Sequence, residues 1–329
     1  MPVSPPEVIA MLARRPLALM TDLQRLNQQL VDLACPGCGG STPYPIWSHD
    51  RYFLKVRLSA CQRCGLVYLA RGLSGQVQDD FYSRLYPRLM RQPPSALQLW
   101  QYRLLAGYRY SEISAVTGAV HSVLDVGAGL GFFLDACRAQ GCSQYLGLEP
   151  GGPQREHAVQ VLGLGDNVRA QGLSDDTRLP FAPHLVTLFH VLEHLEDPGR
   201  ALRQIARLMD PQGWLVIEVP DIRADWRELG LHQVHISHRS YFCAQTLEVL
   251  LRNSGFSVAH LVHEAHGIYN GNLRVYARPG AEPVASQPPS TEQLVALAAH
   301  ITRQIRPLSL RNGYPRSVLR LGRLSLRGG

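Results

Sequence analysis

The stretch Val123-Leu124-Asp125-Val126-Gly127-Ala128-Gly129-Leu130-Gly131-Phe132-Phe133-Leu134 decides the fold of this chain. Before the first glycine the residues read as a buried strand, glycines at 127, 129 and 131 interrupt any regular element, and Phe133, Leu134 and Cys137 resume at helical spacing. The unit is strand, tight turn, helix. A turn without β-carbons lets the backbone approach a ligand closely, and the helix that follows presents N–H groups beside it, so a nucleotide-like guest is expected. The spacing is G-x-G-x-G. A dinucleotide fingerprint needs G-x-G-x-x-G, and its last position here is Phe132, which argues against a nicotinamide cofactor.

Downstream of the turn, strands are expected at 144–148, near Val168, at 185–190 and at 214–219, with helices at 152–162 and 198–209 between them. Alternation of this kind predicts an α/β fold with a parallel sheet and helices on both faces. The helix at 198 opens on Asp197-Pro198, carries Ala201, Leu202, Ile205 and Met209 on one side, and stops at Asp210-Pro211-Gln212-Gly213. A helix ending at Ser254-Gly255 and two strands, 256–262 and 273–277, close the domain as an adjacent pair. Upstream, Leu97 to Ile113 is helical, and Glu7 to Leu33 reads as one or two amphipathic helices, either packed on the body or partner-binding.

Four of the seven cysteines fall into two C-x-x-C-G knuckles, Cys35-Pro36-Gly37-Cys38-Gly39 and Cys61-Gln62-Arg63-Cys64-Gly65. Two such knuckles supply the four thiolates of a closed tetrahedral zinc site, with no open position for water, so the expected metal is structural. Four free thiols are the alternative. Tyr52 to Val56 and Leu66 to Leu69 then read as short strands of a zinc ribbon.

Glu149 stands 18 residues after Gly131, at the end of the strand Tyr145-Leu146-Gly147-Leu148, where a carboxylate can accept bonds from both hydroxyls of a ribose. Here the chain resembles the class I S-adenosylmethionine (SAM) dependent methyltransferases, whose first motif is an acidic strand end before a glycine turn. Leu188-Phe189-His190-Val191-Leu192-Glu193-His194-Leu195-Glu196-Asp197-Pro198 resembles the segment after their fourth strand. The order of cysteine ribbon, Asp80-Phe81-Tyr82-Ser83-Arg84-Leu85-Tyr86 and glycine motif is similar to a subfamily acting on sugars and other secondary metabolites. The resemblance implies a Rossmann-like seven-stranded sheet, mostly parallel with its last strand antiparallel, beside a small N-terminal zinc ribbon. It implies SAM contacts from Asp125, Gly127, Ala128, Gly129, Gly131, Glu149, Pro150, His190 and Tyr86, with structural zinc on Cys35, Cys38, Cys61 and Cys64. Tyr82 and Tyr86 are either lid residues or core aromatics. His190 either lines the SAM pocket or serves as a base. In His232-Gln233-Val234-His235-Ile236-Ser237-His238-Arg239-Ser240-Tyr241-Phe242, His238, Tyr241 and Phe242 match a segment that borders the acceptor pocket, which makes His235 and His238 candidate bases beside His190. Three positions depart from the family pattern: His190-x-x-Glu193-His194 lacks one acidic ligand of a divalent-metal variant, His184 replaces a usual aspartate, and the adenine-side acid has only Asp175 or Asp176 as candidates.

The expected organisation is a helical segment 1–33, a ribbon 34–75, a methyltransferase domain 76–282 with a lid and helix at 76–118 and a core at 119–282, and a basic tail 283–329. Residues 280–329 hold seven arginines against Glu282 and Glu292, so most of the net charge of +7 lies there. A basic appendage suits an acidic partner or membrane surface, or is a solvated tail, while the nearly neutral body argues against a nucleic-acid enzyme. No segment has the apolar length of a membrane span, no apolar stretch marks a signal peptide, and paired cysteines suit a reducing compartment, so a cytoplasmic location is expected. The implied function is methyl transfer from SAM to a small-molecule acceptor, O-methylation of a sugar, nucleotide-linked sugar or secondary metabolite before sugar C-methylation, because the C-methylating relatives continue into a large further domain. An RNA-binding or assembly factor with a regulatory or vestigial SAM site is the alternative of another class.

Overall fold

The computed structural model of the chain describes residues 19–89, 94–225, 230–264 and 271–308. The expected helix before 19 and the arginine-rich end after 308 lie outside the described residues. In chain order the elements are α1 over 19–29, β1 (Val31–Asp32), β2 (Pro43–Trp47), β3 (Arg57–Cys61), β4 (Val67–Gly72), α2 (Gly75–Asp80), α3 (Tyr86–Leu89), α4 (Ala96–Thr117), β5 (Ser122–Val126), α5 (Phe132–Ala139), β6 (Gln144–Leu148) and α6 (Gly152–Glu156). There follow β7 (Val168–Arg169), β8 (Leu185–Phe189), α7 (Pro198–Leu208), β9 (Trp214–Pro220), β10 (Ser240–Tyr241), α8 (Ala244–Arg252), β11 (Phe256–Glu264), β12 (Asn272–Pro279) and α9 (Thr291–Leu308). Single π-helical turns, Phe81–Leu85 and His157–Val161, continue α2 and α6.

The chain divides into two compact units, one made of residues 1–93, 225–239 and 288–329, the other of 94–224 and 240–287. The first boundary falls inside the stretch 76–118 that reads from sequence as one lid and helix. The C-terminal helix α9 belongs to the first unit, where Leu294, Ile301 and Ile305 are buried.

The second unit holds a seven-stranded sheet in the order β11-β12-β9-β8-β5-β6-β7. The four pairings from β9 to the edge strand β7 are parallel, while β12 runs antiparallel to both β9 and β11. Every residue of β5 is buried, as a strand covered on both faces requires. Helix α7 begins where Asp197 accepts a bond from the Arg200 N–H at 2.8 Å. The core gathers Val123, Phe133, Leu134, Cys137, Val168 and Leu185 around the middle of the sheet.

In the first unit β1, β4, β3 and β2 pair antiparallel in that order. The strand expected at 52–56 is a loop instead, and β3 begins at Arg57. The reason is Asp50: its fully buried carboxylate accepts the N–H groups of Tyr52 at 2.8 Å and Leu54 at 3.0 Å, diverting them from a ladder, and Phe53 takes a positive φ of 61°. Tyr52, Leu54 and Val56 are nevertheless all buried, so the alternation that suggested a strand reports burial correctly. The additional strand β2 carries Pro43 and Pro45, which a sheet tolerates at its edge, where β2 lies. α1 buries Leu19, Leu23 and Leu26, and Leu30 just after it is buried as well, the packed alternative for that segment.

Candidate functional site

The glycine turn joins β5 to α5 at the C-terminal edge of the parallel strands, the edge at which open α/β sheets bind ligands. Gly127, Gly129 and Gly131 all have positive φ, at 74°, 55° and 84°. They are glycines for different reasons. A β-carbon at Gly127 would collide with Val191, and one at Gly131 would meet Ala158 at 2.7 Å, whereas at Gly129 nothing among the described residues lies within 4 Å. The turn is therefore packed at both ends and open in the middle.

Glu149, at the end of β6, closes this turn from the neighbouring strand. Its Oε2 accepts the Gly129 N–H at 2.7 Å and its Oε1 accepts the Gly151 N–H at 2.7 Å. Burial pushes the carboxyl above its ordinary value, and the two N–H donors oppose that rise. Each oxygen keeps a second lone pair for a ligand hydroxyl. Pro150 follows, exposed, and Ala128 is buried in the turn with its N–H on the Leu148 carbonyl at 3.1 Å. Asp125 is 2% exposed, accepts a bond from Thr187 at 2.7 Å, and burial lifts its carboxyl to about 7.

His190 caps β8 with a φ of 57°, rare for a residue with a β-carbon. Its N–H bonds the Glu218 carbonyl at 2.8 Å, Nδ1 lies 3.4 Å from Glu193, and Nε2 lies 3.3 Å from Glu218. Burial opposes a charge on the ring, yet Glu193 and Glu218 together raise it to about 9. Asn272 Nδ2 also lies 3.3 Å from Nε2. Carboxylates on both sides of the ring favour its protonated form, which suits the lining role of the two open to His190.

Glu218 is the hub of a buried charge network that motif reading misses. It accepts bonds from Arg109 Nε at 3.1 Å, from Arg274 Nη2 at 2.9 Å and from Asn272 at 3.3 Å, and Arg274 also holds Glu112. Burial alone would raise the Glu218 carboxyl, but His190 and Arg109 hold it well below the usual range. The signal was Glu218 inside the apolar run Trp214–Pro220 and Arg274 among the apolar residues that begin Asn272–Pro279.

In the first unit, the sulfurs of Cys35, Cys38, Cys61 and Cys64 all lie within 4.8 Å of one another. The pairs Cys35–Cys64 at 3.6 Å and Cys38–Cys61 at 3.5 Å are too far apart for a disulfide and match the roughly 3.8 Å edge of a tetrahedron with 2.3 Å zinc–sulfur bonds. Each knuckle closes on its glycine, with Gly39 N–H on the Cys35 carbonyl at 2.8 Å and Gly65 N–H on the Cys61 carbonyl at 2.9 Å. The donor set fits zinc.

The same unit holds the other sequence-predicted residues. Tyr86 packs on Phe81 and Tyr82, with ring centroids 5.6 and 5.5 Å away, and on His235 at 6.1 Å. Tyr82 donates to the Ser237 carbonyl at 3.3 Å. His235 is 2% exposed between Tyr52 and Tyr86, its Nδ1 bonded to the Ser237 hydroxyl, and His238 is half-buried with its ring 5.5 Å from that of His235. Asp50 reaches this segment as well, accepting the Ile236 N–H at 3.1 Å, and burial lifts its carboxyl to about 7. The structure thus brings His235 and His238 together in one unit, and His190, Glu149 and the glycine turn together in the other.

A family model described as a methyltransferase domain matches residues 80–261. No curated protein matches the chain. Similar solved structures include the mitomycin 7-O-methyltransferase MmcR, 20% identical over 62% of this chain and 63% of its own, with a TM-score of 0.44. Another is the magnesium protoporphyrin IX methyltransferase of Synechocystis with bound SAM, 18% identical over 62% of this chain and 95% of its own, with a TM-score of 0.44. A SAM-dependent methyltransferase of Clostridium acetobutylicum is 9% identical over 62% of this chain and 100% of its own, with a TM-score of 0.45.

Proposed function

Since this chain belongs to the methyltransferase domain family, whose model covers more than half of it, we propose that it transfers the methyl group of SAM to a small-molecule acceptor. The observation that carries the donor assignment is the turn at Gly127–Gly131, open at Gly129 and tied to the Glu149 carboxylate. The turn would hold the ribose and methionine portion, and Glu149 would accept the ribose hydroxyls. When bound, SAM supplies an electrophilic methyl on a sulfonium. The chain's residues align the acceptor with it and exclude water, which provides most of the rate in such a transfer. His190, flanked by the Glu193 and Glu218 carboxylates, would line this region rather than take a proton. By resemblance, proton removal falls to His235 or His238, of which His238 is the more accessible.

Calorimetry should give micromolar SAM binding to the wild type and none to Gly129→Arg or Glu149→Ala. Unchanged binding in both variants, with an unaltered thermal transition, sinks the donor assignment.

For the acceptor, the resemblance supports O-methylation of a sugar, nucleotide-linked sugar or other secondary metabolite. A screen of hydroxylated acceptors with methyl-labelled SAM tests it, and label found only on carbon or on RNA would refute it. The cysteine cluster supports one structural zinc per chain, read by elemental analysis. A fully folded zinc-free protein would rule that role out.

A further inference from the structure

The histidine segment of the first unit is a β-turn held by a side chain from far earlier in the chain. The His238 N–H bonds the His235 carbonyl at 3.0 Å, which makes Ile236 and Ser237 the central residues of the turn. The N–H of the first central residue has no acceptor within a turn of this kind and must find one elsewhere when it is buried. That of Ile236 goes to Asp50 Oδ2 at 3.1 Å. The other oxygen of Asp50 takes the Tyr52 N–H at 2.8 Å and the Leu54 N–H at 3.0 Å, so one fully buried carboxylate joins the loop 50–54 to the turn. A second bond runs beside it, from the Arg51 N–H to the Val234 carbonyl at 3.0 Å. The rings of Tyr52 and His235 meet edge to face with centroids 5.4 Å apart, and Tyr82 donates to the Ser237 carbonyl at 3.3 Å. All of these residues belong to the same unit.

Held in this way, the turn delivers the Ser237 N–H to His235 Nδ1 at 3.1 Å. A ring nitrogen that accepts a backbone N–H carries no proton, so His235 is a neutral imidazole with its proton on Nε2. The Ser237 hydroxyl, bonded to the same Nδ1, then donates as well. We propose that Asp50 is a positioning residue for the acceptor side of the methyl transfer: through the Ile236 N–H it holds the turn that fixes His235 as the Nε2–H tautomer. With Nδ1 occupied and Nε2 protonated, His235 is a hydrogen-bond donor and not the group that takes the acceptor's proton. The inference rests on the reading that this histidine segment borders the acceptor. It also gives the cysteine knuckles a part in that chemistry, because loop 50–54 lies between Cys38 and Cys61. Both bonds from the loop end on backbone atoms of 234 and 236, so they set the shape of the turn whatever side chains those positions carry.

Asp50→Asn tests this while sparing the loop. The Tyr52 and Leu54 N–H groups share one oxygen, so the amide oxygen of asparagine keeps both and its NH2 group is left facing the Ile236 N–H, donor to donor. Asp50→Ser, with a single oxygen for the loop, is the second variant. The full chain carrying isotope-labelled histidine is measured by long-range proton–nitrogen NMR at about pH 8, where an unperturbed imidazole is neutral, and His235→Gln identifies the His235 signals. Wild-type His235 should be one tautomer, bare at Nδ1 and protonated at Nε2. Both Asp50 variants should move its two nitrogens toward the average of two tautomers, while His157 in the second unit keeps its own signals as the control for folding. Asp32→Asn, the same change at an exposed carboxylate of the first unit, should leave His235 as in the wild type. A proton on Nδ1 of wild-type His235 overturns the proposal. So do His235 signals that stay unchanged in both Asp50 variants, which would confine Asp50 to capping its own loop. The spectra need neither SAM nor an acceptor, so this result is independent of the methyl-transfer reading, which fails separately if calorimetry finds no SAM binding.

Discussion

At the residue scale, His190 ties stability to pH. An imidazole ordinarily titrates at 6.5, and this one is raised to about 9 by its two carboxylate neighbours. The folded chain keeps a proton that the unfolded chain releases, so the contribution is complete below about pH 6.5 and is lost as pH rises through 9. The unfolding free-energy difference between wild type and His190→Asn should therefore shrink by on the order of 3 kcal/mol between about pH 6 and pH 10; a difference that is flat across that range would refute the carboxylate clamp. Asp50 and Asp125 act with the same sign in a lower window. Both are raised to about 7 by burial, so their share of stability is full below about pH 4 and falls as pH climbs to 7. Glu218→Gln leaves Arg109 and Arg274 without their shared counter-charge and should cost about 3 kcal/mol in denaturant unfolding. Glu149 and the three glycines of the turn were legible in the chain itself, because acid and glycine spacing along a strand–turn–helix is local. Glu218, Arg274 and Asp50 were not, since their partners lie 109, 162 and 186 positions away.

At the element scale, the glycine turn divides its work between packing and binding. Gly127→Ala combines a positive φ with a collision at Val191, and should lose more stability than Gly129→Ala, which meets only the conformational cost of about 1 kcal/mol. SAM affinity should instead be reduced in Gly129→Ala, whose new methyl enters the open middle of the turn. Thermal unfolding and calorimetry on the two variants separate these effects, and equal losses in both would show that the turn is not divided. The loop at 50–56 shows the limit of periodicity: alternating burial at Tyr52, Leu54 and Val56 is as regular as in a strand, but one buried carboxylate takes the backbone donors a ladder would need. Removing that carboxylate in Asp50→Ala leaves three buried N–H groups without their acceptor and should destabilise the first unit by about 2–3 kcal/mol.

At the scale of the whole molecule, the first unit is stitched from three separate segments, with the cysteine cluster joining two loops of the first of them. Metal removal by a strong chelator should raise hydrogen exchange in β2, β3 and β4 while the central strands β5, β8 and β9 keep their protection; uniform loss everywhere, or no change at all, would contradict a metal that organises that unit. What the sequence by itself determined is everything that rests on neighbours along the chain: the alternation of strands and helices, the glycine turn with its acid 18 residues on, and the two cysteine knuckles. Only the tertiary structure decided that β12 inserts between β9 and β11, that 230–239 and 288–308 belong to the same unit as the ribbon, and that Glu193 and Glu218 flank the His190 ring. The physical reason is range. Hydrophobic period and turn chemistry act over a few residues, whereas strand order and the charged partners of a side chain depend on groups that only the closed fold brings within a few ångströms.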